Sequence, residues 1–173
     1  MSRIRRLSLA TSVSAALVAS ALAMNATSAS GADRADSVSV IRQVTAKYHD
    51  VDAALRAGYV PTSDCVASPA GTMGFHYLKP SLLGQPVDLR RPPILLYVPG
   101  EVGLQLVGVE YFKADADQDL STDDDRPSLL GHDFDGPMEG HGGGMPRHYD
   151  LHVWAWKHNP AGMFEEFNPA VSC

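Results

Sequence analysis

Cysteine is scarce in this chain: its 173 residues include only Cys65 and Cys173. Neither has a second ligand nearby at the spacing of a zinc site, which argues against a thiolate-held metal. Basic residues are also few, with 14 Lys and Arg against 20 Asp and Glu. The net charge of −6, with no basic patch, repels phosphates and excludes nucleic acid as a partner. Beyond the N-terminus no apolar run approaches the ~20 residues that a membrane span needs. The common catalytic signatures are missing too. There is no G-x-S-x-G, no H-E-x-x-H, no Rossmann or phosphate-loop glycine pattern, and no paired H-x-H of the cupin type.

What is present begins with an export signal. Arg3, Arg5 and Arg6 form a basic start, and an apolar stretch runs from Leu7 to Ala23. Ala21-Leu22-Ala23 and Thr27-Ser28-Ala29 are candidate cleavage sites. Residues 1–29 are therefore expected to be a signal peptide, cleaved near 23–30, and residues 30–173 a single globular domain. That domain is expected outside the cytoplasm, secreted, with no transmembrane span. It carries eleven basic residues against 20 acidic ones, a net charge of −9. In an oxidising compartment Cys65 and Cys173 are expected to form a disulfide. Such a bridge closes a loop of more than 100 residues. On the chain-entropy model it stabilises by roughly 4–5 kcal/mol.

Hydrophobic periodicity predicts one amphipathic helix over Ser37–Ala57, capped by Asp36 or Ser37 and ended by Gly58. His49 beside its apolar stripe reads as a surface residue. Short apolar runs punctuated by Pro and Gly follow. Residues 74–78 read as a strand carrying His76. Residues 93–98 and 104–112 read as a hairpin around the turn 99–103. On its second arm, Leu104, Leu106, Gly108, Glu110 and Phe112 share one face by the period of two. A carboxylate on that face needs a partner, a metal or a histidine, unless the face is solvated or an arginine meets it. Residues 149–156 read as a further strand. The fold expected is α+β: an N-terminal helix with a mainly antiparallel sheet or small barrel.

Residues 113–126 are acidic, with Asp115, Asp117 and Asp119 at alternate positions. The match to a calcium loop then fails. Leu120 stands where the turn glycine belongs, and Arg126 where the bidentate glutamate belongs. A solvated acidic loop is the expectation.

Residues 132–152 hold four of the seven histidines. His148 and His152 share a face in a strand or a helix. With His76 and Glu110 they make three imidazoles and a carboxylate, a set suited to zinc, copper, iron or manganese, with copper or zinc first. Tyr77 or Asp150 could orient a ligating histidine. His132, His141, Met138 and Met145 form a looser second set whose thioethers would suit copper. The bland reading of this second set is a surface loop with methionines filling gaps.

The motifs GTMGFHYLKP (71–80), ILLYV (94–98), LVGVEYF (106–112), MPRHYDLHVWAWKHNPAGMF (145–164) and FNPAVSC (167–173) resemble a family of uncharacterised exported bacterial proteins. The resemblance spans nearly the whole mature chain and implies export, with no activity to carry over. The His76-Tyr77 pair, the strand ending in Tyr97 and the segment LVGVEY are more faintly similar to plant oil-body-associated proteins. That similarity implies a shared β-rich core.

The functional expectation is an exported protein that binds a transition metal through His76, Glu110, His148 and His152, with metal-dependent catalysis open. The rival is a small-molecule or lipid-binding module whose pocket is lined by Tyr77, Tyr97, Trp154 and Trp156. A structural protein of the cell envelope is the third reading.

Overall fold

The structure, a computed structural model, describes residues 19–141 and 144–173, with the side chains of residues 19–30 and 32 outside the description. The expected signal peptide falls largely on residues 1–18, which lie outside the described residues. The chain divides into two compact units, one ending at Asp33 and one of Arg34–Cys173. Among the described residues no helix is long and apolar enough to cross a membrane.

The predicted single helix is two. Helix α1 spans Ala19–Thr45, so Asp36 and Ser37 lie inside it rather than capping it. Thr45 marks its end. The Thr45 hydroxyl donates back to the Ile41 carbonyl at 2.6 Å and accepts from the Trp156 indole at 3.0 Å. A short 3₁₀ turn, Ala46–His49, follows. Helix α2, Val51–Arg56, starts afresh because Asp50 accepts from the Asp52 amide as an N-cap. It closes before Gly58, whose φ of 93° a residue with a side chain rarely adopts.

The remaining elements are strands β1 (Val60–Pro61), β2 (Val66–Ser68), β3 (Gly71–Leu78), β4 (Ile94–Pro99), β5 (Leu104–Ala114), β6 (Ser128–Leu129), β7 (His132–Asp133), β8 (Asp135–Met138) and β9 (His148–Val153). Seven form one antiparallel sheet in the order β1-β3-β4-β5-β9-β8, with β2 also on β3, while β6 and β7 pair separately. The sheet is open, not closed into a barrel. The predicted hairpin is β4–β5, at its centre.

Register sorts the two faces. On one, Leu95, Tyr97, Leu106, Val109, Tyr111, Tyr149, Leu151 and Val153 pack with Val38 and Ile41 of α1 and with Tyr48, Ala54 and Tyr59. Each aliphatic side chain fully buried there contributes about 1.5–3 kcal/mol. On the other, Ile94, Leu96, Val98, Val107 and Trp154 pack with Leu78, Phe112 and Val171 of the C-terminal tail. Strict alternation along β5 fails at one place. Leu96 pairs with Gly108 but Tyr97 with Leu106, so Val107 is an extra residue, a β-bulge. The bulge returns Leu106 to the helix-covered face. Glu110 therefore shares its face with Phe112 but not with Leu106, contrary to the simple period of two.

The tail is tied over this second face. Thr72 and Asn168 exchange backbone hydrogen bonds at 3.1 and 3.0 Å. Cys65 and Cys173 form the expected disulfide across 108 residues.

Gly74, two residues before His76 on β3, has φ +100°. A Cβ there would overlap the Tyr97 carbonyl. Gly74→Ala is expected to cost at least about 2 kcal/mol, because both the backbone conformation and the contact must change. Chemical denaturation of the variant checks this, and a loss under half that size would contradict the close packing of β3 on β4.

Candidate metal centre

The second face collects the polar side chains of three strands. On β9, Tyr149, Leu151 and Val153 point to the helix-covered core, so His148, Asp150 and His152 point the other way. Glu110 on β5 pairs directly with His152. His76 on β3 pairs with Leu96 of β4 and reaches across that strand towards Glu110. The Nε2 atoms of His76 and His152 lie 3.3 and 3.7 Å from the same oxygen, Oε2 of Glu110. Two ligands about 2.0–2.2 Å from a tetrahedral ion stand roughly 3.3–3.6 Å apart. The His76 edge fits a shared ion, and the His152 edge is slightly longer. Ligand atoms of His76, Glu110 and His152 all lie within 4.8 Å of one another, and among the described residues this is the group of three that could hold a metal.

Each imidazole has a polar neighbour near its far nitrogen. His152 Nδ1 lies 3.7 Å from Asp150 Oδ1, and His76 Nδ1 lies 3.3 Å from the Ser63 hydroxyl. Outer contacts of this kind orient a metal-ligating histidine and select the nitrogen it offers. Asp150 thus stands where the sequence suggested. Tyr77 does not. As the neighbour of His76 it takes the opposite face, with its ring 4.9 Å from Tyr97.

The set is nearly dry. His152 is 1% exposed and Glu110 6%. Six buried side-chain atoms have no hydrogen-bond partner among the described residues. Four of them are here: Glu110 Oε2, Asp150 Oδ1 and both ring nitrogens of His152. Unsatisfied polar atoms are costly to bury, and a cluster of them marks a site built for a missing partner. Burial lowers His76 from 6.5 to about 4, with His152 adding to the effect. Burial also lowers His152, against the pull of Asp150. It raises Glu110 well above 4.5, reinforced by the charges of Asp150 and Glu166.

His148 lies on the same face outside this group. Its ring stacks on Phe112 at 4.8 Å, and its Nε2 is 3.7 Å from Asp150 Oδ2. The looser His/Met set is dispersed. His132 packs on Phe164, whereas His141 lies 5.1 Å from the His148 ring. Met138 ends β8 opposite His148, and Met145 is exposed. The aromatic residues of the rival reading split between the faces, Tyr77 and Tyr97 on one and Trp154 on the other, so they line no common pocket. A cavity of about 460 Å³ instead opens between β8 and the tail, lined by Asp135, Met138, Glu165, Glu166 and Phe167. Burial, with Asp150 nearby, raises the carboxyl groups of Asp135 and Glu166. Sequence reading named Met138 as a loose metal candidate but did not assign Asp135 or Glu166 to a site, because it is β8 and the tail that bring them to one cavity.

Protein-family models, curated proteins and solved structures give no match to the chain.

Unfolded, each histidine gains a proton as the pH falls through about 6.5, and Glu110 loses one as it rises through 4.5. Folded and metal-free, His76 and His152 stay neutral below 6.5 while Glu110 keeps its proton above 4.5. Below 6.5 the unfolded histidines take up protons that the folded ones do not, so acid destabilises; the proton kept by Glu110 acts the other way, and its stabilisation is lost as the pH rises through the raised folded value. The melting temperature of the metal-free protein is therefore expected to fall on acidification below 6.5 and to fall again in alkali as that stabilisation is lost. Thermal unfolding in chelator, from mildly acid to mildly alkaline buffer, measures this. A melting temperature that rises steadily across the range would show that Glu110 is buried ionised.

Proposed function

We propose that the protein is an exported metalloprotein that binds one transition-metal ion through His76, Glu110 and His152. The observation that carries this is the concentration of unpartnered buried atoms on Glu110, Asp150 and His152. An ion held by Glu110 and the two Nε2 atoms satisfies Glu110 Oε2 and His152 Nε2 together, and ordering the His152 ring offers its Nδ1 to Asp150. Two imidazoles, one carboxylate and no thioether favour zinc, with copper next and iron or manganese after them. Export is supported by the disulfide and by the basic-apolar N-terminal sequence.

Three protein ligands leave a coordination position open, the arrangement of catalytic rather than structural sites. The activity proposed is metal-assisted water or oxygen chemistry on a small molecule. Two features favour it: solvent reaches the cluster beside His76, whose side chain is 14% exposed, and the acidic cavity at β8 lies one strand beyond β9. His148 is assigned a packing role beside Phe112 and Asp150.

Elemental analysis of protein prepared without a histidine tag or chelator is expected to give about one metal ion per chain. His76→Ala and His152→Ala should abolish it. Asp150→Asn should weaken metal affinity by about 10–100-fold, and His148→Ala should leave stoichiometry unchanged in the folded variant. Protein that arrives empty and takes up no zinc, copper, iron or manganese on titration would sink the proposal.

A further inference from the structure

The disulfide and one metal ligand meet in a single short loop. Residues 62–65 join β1 to β2 and run beside His76 of β3. The Thr62 amide donates to the His76 carbonyl at 3.0 Å, and the Ser63 hydroxyl stands 3.3 Å from His76 Nδ1. Two residues after Ser63, Cys65 is bonded to Cys173. Residues 63–65 make no backbone hydrogen bond among the described residues. The disulfide and Ser63 itself are what fix this stretch of chain.

The tail supplies the other half of the clamp. Asn168 exchanges backbone bonds with Thr72 of β3, and Val171 packs on the apolar cluster of the second face. Cys173 therefore reaches Cys65 from a tail already seated on β3. Thr72 holds the tail, the tail holds Cys65, and the loop returns Ser63 to His76. His152 needs no such arrangement, because Asp150 lies two residues away on its own strand. For His76 Nε2 to keep its lone pair for an ion, Nδ1 must carry the proton and point it at an acceptor. The Ser63 oxygen is the acceptor in reach.

We propose that closing the Cys65–Cys173 disulfide brings the His76/Glu110/His152 centre to full metal affinity, so that the chain binds its ion weakly while reduced and loads after export. This rests on the metal centre and the export proposed above. Closure is thiol–disulfide exchange with an oxidoreductase disulfide. One cysteine thiolate attacks that disulfide, the second displaces the oxidoreductase sulfur, and the oxidant leaves as two thiols carrying two electrons and two protons. Cys173 is exposed and Cys65 half-buried, so such a partner reaches them.

The test uses the full chain stripped of metal, with cobalt chloride as a spectroscopic stand-in for zinc. Cys65→Ser/Cys173→Ser represents the open form without offering thiolates to the ion. Its cobalt affinity should fall by about 10–100-fold. Ser63→Ala with the disulfide closed should fall by a similar factor, and Ser63→Thr, which keeps the hydroxyl, should recover most of it. Combining Ser63→Ala with both cysteine changes should cost no more than the cysteine changes alone, since both act through one contact. Should the cysteine variant not fold, the wild-type chain gives the answer: bound zinc should slow opening of the disulfide by a water-soluble phosphine several-fold. Wild-type affinity in the cysteine variant, additive losses in the combined variant, or an opening rate indifferent to zinc would each overturn the proposal. A wild-type chain that binds neither cobalt nor zinc would overturn the metal centre itself, and this proposal with it.

Discussion

Glu110 is a carboxylate in the middle of a sheet, on a strand flanked by β4 and β9, and it is only 6% exposed. Left there alone, its charge would be opposed by several kcal/mol of lost hydration. Two neutral imidazoles face it but supply no hydrogen bond of good geometry to its Oε2. Without a cation the group keeps a proton; with one it becomes a ligand. Much of the surrounding structure serves to hold this carboxylate in place and keep it dry.

The β-bulge at Val107 is part of that. An extra residue in β5 lets Leu104 and Leu106 fill the helix-covered core while Glu110 faces the other way. Gly108, on the Glu110 face of β5, allows Val153 and Trp154 to lie against the strand, where a Cβ would meet the Val153 carbonyl at 2.7 Å. The tail then closes over the face. Val171 packs on the apolar cluster, Asn168 pairs with Thr72, and the disulfide fixes the chain end near β2. The helices take no part in the site. They cover the opposite face, where the Tyr97 hydroxyl donates to the Tyr48 carbonyl at 2.6 Å.

Local patterns made much of this legible. The β4–β5 hairpin, the disulfide and the facing of His148, Asp150 and His152 follow from alternation and composition. So does the need of Glu110 for a partner. What alternation cannot carry is a change of parity, so the side taken by Leu106 was misread, and Tyr77 was placed beside a histidine it must oppose. Which of three histidines converge depends on strand order: β3 and β9 flank the β4–β5 pair, so His76 and His152 meet at Glu110 while His148 falls two same-face pairs further along. The helix break at Thr45 depends on Trp156, more than 100 residues away in sequence. The acidic loop read as solvated, yet Asp115 at its start is 3% exposed, which composition does not reveal.

The central claim is that Glu110, His76 and His152 share one ion. Anomalous diffraction from crystals of the metal-loaded protein, at the absorption edge of the metal found in it, tests this most directly. The account predicts a single strong peak about 2.0–2.2 Å from Glu110 Oε2 and from the Nε2 atoms of both histidines. A peak held by other residues, or none in a fully loaded crystal, would contradict it.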